Sequence, residues 1–101
     1  MTTSFDQVYI EFGNNLRRFR NSKKLSQEDF GSKLDLSRVS ITNIEKGRQK
    51  PTIHLIFNIL LTFNAKMEDI FPFDLLEQIK AEKRIKANKP HVAKFLEELN
   101  S

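Results

Sequence analysis

The 101-residue chain has no cysteine, no tryptophan and only two histidines, His54 and His91. Without thiols there is neither a disulfide framework nor a thiolate metal site, and two histidines so far apart do not make a zinc motif. No metal and no cofactor are expected, and nothing in the chain requires an oxidising compartment. Glycine and proline are scarce, three of each, so long loops are not expected. The longest apolar run, "LIFNILLTF", is too short to span a bilayer. The N-terminus shows no basic segment followed by an apolar one. The expectation is a soluble, cytoplasmic protein with no membrane partner. The acidic residues show no paired spacing with a nucleophile or a metal set, so no catalytic residue is assigned and no enzyme is expected.

Present instead is an apolar fraction of 39% that includes nine phenylalanines, enough for one small core. The apolar residues recur at steps of three and four, the period of an amphipathic helix. Ser4 with Gln7 three positions on reads as a capping box, followed by Phe5, Val8, Phe12, Leu16 and Phe19 in a first helix ending near Asn21. Ser26 caps a short second helix bearing Phe30 and Leu34. Ser37 caps an equally short third one, with Ile41 and Ile44 inside and Val39 at the flank, closed by Gly47. Thr52 caps a fourth, expected over residues 53–63. Eight of its eleven residues are apolar, so it needs cover on more than one side. Asn64 ends it, "KMEDIF" makes a short fifth helix, and an amphipathic extension follows from Pro72, with a last helix opening at Pro90 and bearing Val92, Phe95, Leu96 and Leu99. Tyr9 and the phenylalanines sit at core spacing, which argues against base stacking on single strands.

The net charge of +4 is unevenly spread: residues 17–50 hold ten basic side chains against four acidic ones. That basic third contains two short helices joined by a tight turn, the pattern of a helix-turn-helix. Gly31 lets the second helix approach the third, and Asp35 stands where the turn needs a left-handed residue, which Asp tolerates better than most. Ile41 and Ile44 then hold the third helix from behind, leaving its polar side free for a DNA major groove. On that side Arg38 can donate twice to guanine and Asn43 can pair with adenine. Ser37 and Ser40 can bond either kind of edge, and Val39 or the Thr42 methyl can touch a thymine methyl.

The stretch "LSQEDFGSKLDLSRVSITNIEKGRQKPT" resembles the helix-turn-helix of the Cro and phage-repressor family, also called the XRE family of transcriptional regulators. The resemblance runs from about Phe12 to Phe71. It implies that Gln27 offers its side chain to a backbone phosphate and that Lys46, Arg48 and Lys50 touch neighbouring phosphates. It implies too that Arg20 and Glu45 form a structural ion pair between the first and third helices. Asp35, usually glycine in the family, and Lys66, usually Ser or Thr, depart from its pattern.

The combined expectation is an all-α, five-helix, lambda-repressor-like DNA-binding domain over residues 1–71, with a helical extension over 72–101 for dimerisation or partner binding. The function expected is a sequence-specific, double-stranded DNA-binding transcriptional regulator, a homodimeric repressor at an inverted-repeat operator; a controller protein of a restriction system is a variant of this reading. The alternative is an antitoxin-like interaction protein that binds a protein partner through residues 72–101 and autoregulates its operon.

Overall fold

The computed structural model describes residues 5–87, all-α throughout that range. The helices are α1 (Asp6–Ser22), α2 (Gln27–Lys33), α3 (Arg38–Glu45), α4 (Ile53–Phe63), α5 (Met67–Ile70) and α6 (Phe73–Ala87). The first five belong to one compact unit, Ser4–Pro72, and α6 belongs to a second. No helix among the described residues is long and apolar enough to cross a membrane.

Local chemistry starts most of these helices. The Ser26 hydroxyl accepts from the Asp29 N–H at 3.0 Å, Ser37 from Ser40 at 3.1 Å, and Thr52 from Leu55 at 3.0 Å. Each bond satisfies one of the amides that a helix N-terminus leaves without a partner. At Lys66 the cap works in the other direction: the Asp69 carboxylate accepts from the Lys66 backbone N–H at 2.9 Å. The stops are equally local. Asp35 and Asn64 take the left-handed conformation with φ of 58° and 50°, and Gly47 does so at 75°.

The opening of α1 differs from the expectation of a Ser4 capping box. Ser4 lies outside the described residues, the helix begins at Asp6 without a side-chain cap, and Gln7 donates instead to Glu11 one turn on, at 3.0 Å. The last helix expected from Pro90 also lies outside the described residues.

Inside the first unit, Phe12, Leu16 and Phe19 from α1 meet Phe30 and Leu34 from α2, Ile41 and Ile44 from α3, Leu55 and Ile59 from α4, and Ile70 from α5. Phe30 stacks on Phe63 with ring centroids 5.0 Å apart, and Phe19 stands edge-on to both. This wall lies behind the helix-turn-helix and holds α2 against the rest of the domain.

Glycine sets two close crossings. A Cβ on Gly31 would lie 2.5 Å from the Leu36 carbonyl oxygen and 3.2 Å from Ile41, so the turn itself, more than α3, excludes a side chain there. A Cβ on Gly13 would lie 2.5 Å from the carbonyl oxygens of both Ile44 and Glu45. The end of α3 therefore rests directly on the backbone of α1.

Helix α4, expected to need cover on more than one side, is covered on one side by the core of its own unit. Leu55 and Ile59 are buried, yet Ile53, Phe57 and Leu61 are 74%, 61% and 80% exposed. They recur every four residues, so they form one apolar stripe along the helix.

Candidate nucleic-acid interface

Helix α3 owes its placement to side chains at its back. Ile41 and Ile44 are fully buried, and Glu45 beside them is 5% exposed. At 100° per residue, Val39 stands opposite the two isoleucines, with Asn43 next to it and Arg38 and Thr42 along one flank. Val39, expected at the edge of the apolar face, is 63% exposed: it occupies the crest of the helix. Arg38 is exposed and Asn43 and Ser40 are half-buried.

The hydroxyls on this helix have internal partners. Ser37 accepts the Ser40 N–H and donates to the Ser40 Oγ at 3.2 Å, which leaves the Ser40 hydroxyl proton uncommitted within the pair. The Thr42 hydroxyl lies 2.8 Å from Gln27 Oε1 and 2.9 Å from the Arg38 carbonyl, both acceptors. Gln27, expected to reach toward a phosphate, is also engaged through its nitrogen, which donates to Glu45 Oε1 at 3.0 Å.

Glu45 is the hub of this network. Arg20 donates to its carboxylate through Nε at 2.7 Å and Nη2 at 3.1 Å, and through Nη1 to the Leu25 carbonyl at 2.9 Å. A buried carboxylate needs this kind of charge-assisted, two-pronged partner to offset its desolvation. No buried side-chain polar atom among the described residues lacks a hydrogen bond. The pair joins α1 to α3, and its third branch fixes the chain just before α2.

After α3 comes the basic loop. The backbone N–H groups of Arg48 and Gln49 both donate to the Asn43 carbonyl, at 2.9 and 3.2 Å, so the loop is anchored on the helix it follows. Lys46, Arg48 and Lys50 are exposed. The Lys50 ammonium lies 5.3 Å from the Tyr9 ring centre, a cation–π contact that the sequence reading missed because it assigned Tyr9 to the core alone. Among the described residues no group of histidines and carboxylates is placed to hold a metal ion.

A family model described as helix-turn-helix matches residues 16–70. An uncharacterised HTH-type transcriptional regulator of Methanocaldococcus jannaschii is 43% identical over 61 residues, covering 60% of this chain and 92% of the relative. The control protein C.MunI of a Mycoplasma species is 30% identical over 67 residues, covering 65% of this chain and 90% of its own length. Among solved structures, the restriction-modification controller protein C.AhdI of Aeromonas hydrophila superposes with a TM-score of 0.63 at 23% identity, over 68% of this chain and 100% of that one.

Proposed function

Because the chain belongs to the Cro and phage-repressor family of helix-turn-helix transcriptional regulators, we propose that it binds an inverted-repeat operator as a homodimer and represses transcription by occupying the promoter. The observation that carries this reading is the outer face of α3: exposed Arg38 and Val39 and half-buried Asn43 stand away from a fully buried two-isoleucine anchor. A helix of this width fits the major groove, where these side-chain types discriminate guanine, thymine and adenine edges. Ser37 and Ser40 flank them, and the exposed cations Lys46, Arg48 and Lys50 supply the sequence-independent attraction to phosphates.

The dimer is proposed because one short helix covers too few base pairs for a selective site. We assign its interface to the α4 stripe, with a second copy of this chain as the occupant. Helix α4 carries no Asp, Glu, Lys or Arg, so two copies meeting face to face bury no like charges. Three large side chains exposed to this degree present on the order of 400 Å² of apolar surface. A standard interface buries roughly 800 Å² per partner, so the stripe forms the centre of the contact, and its neighbours form the rim. Phe57→Glu is expected to convert the dimer to a monomer in sedimentation velocity while leaving the helical circular dichroism unchanged. A variant that sediments as the wild type does would remove α4 from the interface.

Selection of bound duplexes from a random DNA pool at physiological salt tests the function itself. The expected product is an enriched inverted repeat with half-site centres one helical turn, about 34–36 Å, apart. Recovery of unenriched sequence would refute operator reading.

A further inference from the structure

The internal bonds of Gln27 differ from those of a side chain waiting for a phosphate. Its two ends are assigned by chemistry. The Glu45 carboxylate, held by the Arg20 guanidinium, has only acceptors to offer. The Gln27 nitrogen must therefore face Glu45, at 3.0 Å. That turns Oε1 toward Thr42, whose hydroxyl donates across 2.8 Å. The polarity of the chain is thus set from its charged end: Arg20 donates to Glu45, Gln27 donates to Glu45, and Thr42 donates to Gln27.

We propose that Gln27 is a positioning residue that fixes the rotation of α3 about its own axis, and that Thr42 is the handle it holds and does not read a base. The inference rests on the DNA-reading function proposed above and deepens it.

Ile41 and Ile44 anchor α3 by apolar burial, which is non-directional. Such a contact resists withdrawal of the helix more than it resists a small roll. Gln27, the first residue of α2, grips α3 at Thr42 and at Glu45, two points one turn apart and on one side of the helix. Hydrogen bonds at two such points oppose roll because their strength falls steeply with angle. Arg20 carries the constraint onward to α1 and, through the Leu25 carbonyl, to the segment entering α2. Rolling α3 would sweep Arg38, Val39 and Asn43 across the groove, so the grip bears directly on base discrimination.

The same geometry takes the Thr42 hydroxyl out of base reading as a donor. Its single proton has two acceptors inside the protein, Gln27 Oε1 and the Arg38 carbonyl. The hydroxyl has no donor left for a base edge.

A phosphate ligand and a positioning residue give opposite signatures. Losing a phosphate contact weakens all sequences alike, whereas losing a positioner weakens the matched site above all. The experiment measures affinity for the selected operator and for a scrambled duplex of equal length, at one salt concentration. The proteins are the wild type, Gln27→Ala, Thr42→Val, Thr42→Ser and the double variant Gln27→Ala/Thr42→Val, with Lys46→Ala as the phosphate-contact reference. Gln27→Ala and Thr42→Val are each expected to lose about tenfold more affinity for the operator than for the scrambled duplex. The double variant should lose no more than the worse single one, because both remove the same tie. Thr42→Ser, which keeps the hydroxyl, should stay within about threefold of the wild type on the operator.

Equal losses on both duplexes, as for Lys46→Ala, would return Gln27 to the phosphate contacts and overturn the proposal. So would a Thr42→Ser variant as weak as Thr42→Val, which would place the role of Thr42 in packing. Repeating the random-pool selection with Thr42→Val reads base preference itself, and a preference changed at a single operator position would make Thr42 a reader and equally overturn the proposal. A wild type that discriminates no operator from the scrambled duplex would refute the DNA-reading function and this inference together, an outcome distinct from the other three.

Discussion

Gly13→Ala is expected to destabilise the domain by about 2–4 kcal/mol, at or above the usual range for overpacking. The added methyl would sit 2.5 Å from two carbonyl oxygens, those of Ile44 and Glu45, and 2.7 Å from the Glu45 carbonyl carbon. Backbone cannot swing aside as the tip of a side chain can, so the end of α3 must move off α1. That motion strains the Arg20–Glu45 pair and shifts the helix that presents Arg38. Urea denaturation measures the effect as a lowered midpoint with an unchanged slope. A midpoint equal to that of the wild type would show that the crossing is looser than the structure has it.

Glu45→Ala has the second large effect, about 3–5 kcal/mol, the range for removing one partner of a buried ion pair. The carboxylate accepts from Arg20 at both oxygens and, at Oε1, a further bond from Gln27. Its loss leaves a guanidinium that is only 11% exposed facing an uncharged cavity. The cost belongs mainly to that stranded cation. Replacing both partners together, as Arg20→Met with Glu45→Met, is therefore expected to recover most of the stability in the same denaturation experiment. A double variant as unstable as Glu45→Ala would show that the pair stabilises by attraction and not merely by mutual satisfaction. The double variant should still bind its operator poorly, because Gln27 loses its fixed end.

Much of the architecture was legible because it depends on neighbours in sequence. Ser26, Ser37 and Thr52 cap helices with their own side chains, and Asp35, Gly47 and Asn64 end them with their own backbone conformation. Such features need no knowledge of what packs from elsewhere. The helix boundaries around the turn followed from them, and so did the inward direction of Ile41 and Ile44.

What was hidden depends on distant partners. Gly13 reads as a weak point inside a helix, and nothing local announces that two carbonyls from α3 press on it. Gln27 reads, by its resemblance, as an amide offered to a phosphate at a helix start, because its partners Thr42 and Glu45 lie 15 and 18 residues further on. Val39 reads equally as the flank of the apolar face and as a contact for a thymine methyl, and only the fold puts it on the crest. Lys24 adopts a left-handed φ of 58° between α1 and α2, a conformation that a lysine gives no reason to expect. In α4, composition alone said that apolar surface exceeds what one neighbour can cover. Which side stays open, that of Ile53, Phe57 and Leu61, required the coordinates.

Base reading by the outer face of α3 is measured most directly by repeating the random-pool selection with Arg38→Ala. The variant is expected to enrich the wild-type inverted repeat with preference lost at one position per half-site, worth about 1–3 kcal/mol there. Enrichment of the unaltered motif, with every position as sharply preferred as before, would contradict it.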